Sequence, residues 1–204
     1  MDKREDDNFI KKHNIRWVVL ITIWTFFMAI IFTIITEGLV ENLNILLAFI
    51  ILISIILIGI FFDIIGIAVT TAKEKPFHAM AANKIDEAKY AIKLVRNASQ
   101  VSNFCNDVIG DISGIVSGAI GATIIYKLTN IYNIKNASAL SIIITSLVAA
   151  FTVGGKAFGK SIAMFNSEKI IFETARVLNF VEKKFRIDIL PDKKNKNNKI
   201  DKYK

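Results

Sequence analysis

Three stretches of this chain, residues 17–36, 43–62 and 136–155, carry no charged side chain. Each is about 20 residues long, enough to cross a hydrocarbon core of about 30 Å as a helix. An ordinary soluble enzyme is excluded, because its charges would be spread along the chain. A membrane β-barrel is excluded too, because its strands alternate polar and apolar residues. The sequence therefore predicts an all-α, polytopic membrane protein. Of the 204 residues, 53% are hydrophobic and 22% charged, and the net charge is +8. The charges are concentrated between the apolar runs.

Residues 1–16 read as a mixed-charge cytoplasmic head. The first span, 17–36, sits in a segment 17–42 that ends in an outer loop. Trp17 and Trp24 are placed as interfacial anchors. A secretory signal peptide is the competing reading, but no small-x-small cleavage site follows Thr36 and the run is long for one. The second span, about 43–72, has one charge, Asp63. Between 73 and 100, six Lys/Arg alternate with apolar residues at spacings of three to four. That pattern predicts an amphipathic helix after Pro76, then a turn at Asn97–Ser99. The third span, about 101–126, carries Asp107 and Asp111, and a polar loop follows at 127–136. The fourth span, about 137–164, carries Lys156. A basic amphipathic helix is predicted over 167–187, and a polar tail, 188–204, is expected to be disordered.

Lys and Arg counts orient the spans. The head has five, the 73–100 segment six, and the chain from Lys160 onward twelve, against none in 37–42 and two in 127–136. Four spans place all three basic segments on one side, with both termini in the cytoplasm and the plasma membrane as location. The positive charge then meets anionic headgroups of the bilayer. No nucleic-acid module is recognisable, so no nucleic-acid partner is expected. A lone Cys105 reads as a packed small residue, and His13 and His78 are too far apart in sequence for a His-rich metal site.

A charge inside a span costs about 2.5–3.5 kcal/mol on insertion scales. Asp63, Asp107, Asp111 and Lys156 all fall toward the cytoplasmic half at comparable depth. Asp107 and Asp111, four apart, share a helix face about 6 Å along the axis. One reading is a cation site with the three aspartates as metal ligands and Lys156 as charge partner, since hard divalent cations take oxygen ligands. The other is that Asp–Lys pairs merely neutralise one another and hold helices together. Gly110, Gly114 and Gly118 repeat every four residues, a ridge suited to close helix packing. Gly154 and Gly155, beside Lys156, are candidates for irregular backbone lining a cavity.

Together these residues resemble the transmembrane domain of the CNNM/CorC family, cyclin M-like and bacterial CorB/CorC-type magnesium and cobalt transport proteins. The resemblance spans about 45–185. It rests on FFDIIGIAVTTAKEKPFHAMAANKIDEAKYAIKLVRNASQ from Phe61, on Asn106-Asp107-Val108-Ile109-Gly110-Asp111, and on Gly155-Lys156-Ala157-Phe158-Gly159-Lys160-Ser161 before FNSEKI. It implies a homodimer that moves Mg²⁺ or another divalent cation as substrate, with no cofactor required and no enzymatic activity. The family's ligand positions fall on Asp63, Asp107, Asp111 and Lys156, none of them identical to the family residue: neutral ligands have become carboxylates, and the family's acid has become a lysine. Lys156 could pair with one aspartate, occupy the cation's place as a tethered ammonium, or take part in proton-coupled exchange. The span 17–36 is additional to the family pattern. No nucleotide-binding CBS domains follow the spans, so nucleotide regulation in cis is not expected. The alternative function is a non-transporting membrane module, a partner subunit or ion-homeostasis regulator with Lys156 filling the site. A membrane enzyme ranks third, because Asp107 and Asp111 share one helix and no nucleophile–base arrangement is visible.

Overall fold

The computed structural model describes residues 15–134 and 136–185. Most of the predicted head and all of the tail lie outside them. The described chain is helical throughout: α1 (Ile15–Glu41), α2 (Ile45–Thr71), α3 (Glu74–Ala82), α4 (Asp86–Arg96), α5 (Ala98–Asn103), a π-helical segment (Phe104–Gly110), α6 (Asp111–Tyr132), α7 (Ala137–Phe165) and α8 (Ser167–Phe185). Four stretches, Val19–Val40, Ile45–Thr71, Ala98–Tyr132 and Ala137–Phe165, are long and apolar enough to cross a membrane. Leu20, Phe26 and Ile34 of α1, Leu46 and Leu57 of α2, and Ile142, Phe151 and Phe158 of α7 all face outward. So large an apolar exterior is incompatible with water and fits lipid as the solvent. This is an all-α, multi-pass membrane protein.

Three predicted boundaries shift. Residues 37–42 are mostly helix, because nothing in Glu37–Glu41 stops α1, and the connection is only Asn42–Asn44. The predicted loop at 127–136 shortens, since α6 continues to Tyr132 before Asn133 turns with φ +48°. The single amphipathic helix expected after Pro76 is two. Pro76 lies inside the first turn of α3, where its missing N–H is not needed. At the end of α3, Lys84 N–H donates to Ala81 O (3.0 Å) and Ile85 N–H to Met80 O (3.3 Å). That is the Schellman pattern, and it puts Lys84 in the left-handed region with φ +62°.

By their contacts the described residues form two compact units, 15–57 with 111–151 and 58–110 with 152–185. In the first, α1 packs along α6. Val40, Ala48, Leu52, Ile112, Val116, Ile120 and Ile124 are among its buried residues. The Lys127 ammonium donates to the main-chain oxygens of Val40 (2.7 Å) and Leu43 (2.6 Å). It thereby braces the α1–α2 connection, where Val40 O also accepts from the Leu43 N–H at 3.2 Å.

The second unit has its own core of small and medium apolar side chains. Ala68 and Val69 in the last turn of α2 and Ala72 just beyond it meet Phe77 of α3, Ala91, Ile92 and Leu94 of α4, Ala163 of α7, and Ile171 and Ala175 of α8. Glu74 clips α3 to α4 by accepting from Arg96 Nε at 3.2 Å, and it also meets His78 Nε2 at 3.0 Å. Burial pulls the Glu74 carboxyl upward, but the bonds from His78 and Arg96 outweigh it and hold the group below its usual range.

Candidate functional site

The second unit brings three of the four intramembrane charges onto three elements. Asp63 is on α2, Asp107 on the π-helical segment and Lys156 on α7. Asp111 opens α6 and belongs to the first unit.

The locus is best defined from Gly110, the last π-helical residue. A Cβ built there would lie 3.6 Å from Lys156 Nζ and 3.7 Å from Asp63 Oδ1. The ammonium and the carboxylate thus converge on one backbone point. A side chain at Gly110 would touch both charged groups at ordinary contact distance and press most closely on the Cys105 carbonyl oxygen, at 3.3 Å. Asp63, Asp111 and Lys156 are each engaged in hydrogen-bonding or electrostatic contacts. Asp107 faces outward from the π segment. Among the described residues, no three His, Cys, Asp or Glu side chains form a group able to hold a metal ion.

One turn further along α2, Gly66 faces Asn106. The Asn106 amide lies directly on the Gly66 backbone, so close that any Cβ would overlap its Oδ1. Asn106 Nδ2 donates to Ser102 Oγ at 3.2 Å, while Oδ1 is buried and has no hydrogen-bond partner among the described residues. A buried carbonyl oxygen without a donor costs about 1–3 kcal/mol, so it points to a role beyond packing. Asn106 entered the sequence reading only as part of a motif. The signal that could have singled it out is an amide next to an aspartate in a span, with a glycine on the preceding span to receive it.

The irregular backbone is not where the glycines suggested. α7 runs unbroken through Gly154 and Gly155. The interruption is Phe104–Gly110, within the third span. Gly155 and Gly159 instead admit α2. A Cβ at Gly155 would overlap Ile60, and one at Gly159 would lie 2.8 Å from Ile64 Cγ1. This is the small-xxx-small mode of close helix approach. Gly154 meets nothing within 4 Å among the described residues. Gly114 and Gly118 also meet nothing within 4 Å, so within the described residues the expected ridge is in contact only at Gly110. Cys105 is buried.

π-helical segments inside α-helices are frequent at functional sites, because the extra residue re-aims side chains and carbonyls. Here the segment carries Asn106 and Asp107 and ends on the Asp63–Lys156 locus. No protein-family model, curated protein or solved structure matches this chain.

Proposed function

We propose that this chain is a cation-transport protein of the membrane, moving a divalent cation such as Mg²⁺ as substrate past the Asp63–Gly110–Lys156 locus. The observation that carries this reading is the meeting of Asp63 Oδ1 and Lys156 Nζ at the end of a π-helical interruption in a span. Opposite charges placed inside spans are a poor structural device, since apolar residues of similar volume hold helices as well or better. Intramembrane ionisable groups beside irregular backbone are the usual furnishing of an ion path. In this reading Asp63 supplies a carboxylate oxygen and Asn106 a neutral carbonyl oxygen, both hard donors. Lys156 is the resident countercharge that gives way when the cation arrives. The basic segments face the cytoplasm, in line with the positive-inside rule.

The test is flux into proteoliposomes loaded with a Mg²⁺-sensitive dye. Asp63→Asn is expected to abolish it and Asp107→Asn to alter it. Absence of flux for Mg²⁺, Mn²⁺ and Co²⁺ alike would sink the reading.

A second reading is a non-transporting module in which Lys156 permanently takes the cation's place. It is favoured by the absence, among the described residues, of three acidic groups gathered around one point. Lys156→Glu separates the two. Under this second reading the variant gains cation binding that the parent lacks.

A further inference from the structure

We infer that the outer face of α8 is a binding surface for anionic lipid headgroups, lying in the plane of the membrane surface. Its inner face is settled by the core: Ile171 and Ala175 are fully buried in the cluster with Ala68 and Val69 of α2 and Ala163 of α7. Those partners lie in the last turns of two membrane spans. Only Asn166 separates α8 from α7, and one residue reaches about 3.8 Å. Connectivity and packing therefore hold the first half of α8, through Ala175, against the span ends.

The opposite face carries Lys169, Arg176, Lys183 and Lys184 interleaved with Val177 and Phe180. Val177 is 64% and Phe180 66% exposed, although both are large apolar side chains. The Arg176 guanidinium lies 5.5 Å from the Phe172 ring and the Lys184 ammonium 5.7 Å from the Phe180 ring. Bases lying along apolar rings are arranged as at a membrane boundary, with rings toward acyl chains and charges toward phosphates. Glu173 holds Arg176 at 2.7 Å and Asp86 of α4 lies near enough to Lys183 to feel its charge, which leaves Lys169 and Lys184 as the net positive excess of this face. Each base at a membrane surface favours an anionic leaflet, and together they select it over a zwitterionic one. A soluble acidic protein is the competing occupant. It is disfavoured because large exposed apolar residues, Val177 and Phe180, are interleaved with the bases, a pattern suited to acyl chains beside phosphates. The inference does not depend on transport and survives a negative flux assay.

The test uses the full chain reconstituted in vesicles, with Trp17→Phe and Trp24→Phe to silence the native indoles and Phe180→Trp as the reporter. In vesicles containing phosphatidylglycerol, lipids brominated on the acyl chain should quench the reporter, and aqueous iodide should leave it largely protected. In phosphatidylcholine alone, quenching by brominated lipid should fall and iodide access should rise. Adding Arg176→Glu, Lys183→Glu and Lys184→Glu should produce the same fall even with phosphatidylglycerol present, with helix content checked by circular dichroism. Moving the unmutated reporter protein to high salt tests the charge term without risk to folding, because screening shortens its range. Iodide quenching without brominated-lipid quenching in both compositions would overturn the inference and leave the face open to a soluble partner. Equal brominated-lipid quenching in the two compositions would overturn it as well, since charge would then select nothing.

Discussion

Asn106 lays its side-chain amide against the bare backbone of Gly66, and the two lock the π-helical segment onto α2. A methyl group at Gly66 has no room unless Asn106 moves. Gly66→Ala is expected to destabilise the protein by about 1–3 kcal/mol, the usual cost of overpacking a close contact. Asn106→Ala in the same chain should recover much of the loss, and thermal unfolding of both single variants and the double variant in detergent measures the coupling.

The glycines of α6 and α7 should respond in opposite ways. Gly159→Ala drives a Cβ to 2.8 Å from Ile64 Cγ1 and is expected to lower the unfolding temperature. Gly118→Ala meets nothing within 4 Å. It should be neutral or stabilising by up to about 1 kcal/mol, through helix propensity alone. The same melting assay compares them.

Lys127 holds the end of α1 through two carbonyl oxygens, those of Val40 and Leu43. Lys127→Met keeps the apolar stem and removes the donor. A loss of about 1.5–3 kcal/mol is expected, the range for hydrogen bonds to a charged group. Hydrogen exchange at the Leu43 amide, which itself bonds Val40 O at 3.2 Å, should accelerate.

Glu74 makes the α3–α4 connection pH-dependent. Its carboxyl, lowered from the usual 4.5, binds protons less readily folded than unfolded. Its contribution is therefore complete above the unfolded value and disappears as pH falls through the lower, folded value. Because the pair is about one-third exposed, solvent screening limits the effect to about 0.2–1 kcal/mol. Glu74→Gln should cost that amount at neutral pH and nothing at strongly acidic pH, as followed by thermal unfolding across the acid range.

Lys84 occupies the left-handed position of the α3 C-terminus with φ +62°. A side chain with Cβ is strained there by about 1 kcal/mol relative to glycine. Lys84→Gly is expected to raise stability by about that amount in the same melts.

How much of the molecule was legible follows from what each feature depends on. Charge-free runs fixed three of the four spans, because only a helix satisfies its backbone in hydrocarbon. Their ends were misjudged at Glu37–Glu41 and Lys127–Tyr132, where polar residues suggested loops but no breaker interrupted the backbone bonds. Asp63 and Lys156 could be singled out because a charge in a span is costly wherever the helices finally lie. Their meeting at Gly110 could not be foreseen, because it depends on how closely α2, α7 and the π segment approach.

The sequence by itself determined that the chain is helical, spans a membrane and concentrates its bases between and beyond the spans, since these follow from solvation of single segments. The tertiary structure alone decided which glycines are contacts. It assigned Gly66, Gly110, Gly155 and Gly159 to packing and left Gly114, Gly118 and Gly154 open. It also moved the backbone irregularity from Gly154–Gly155 to Phe104–Gly110. No residue type dictates that shift, because a π-helical turn is a change in backbone hydrogen-bond register. In this fold that register goes together with the Asn106 amide seated on Gly66 of the neighbouring helix.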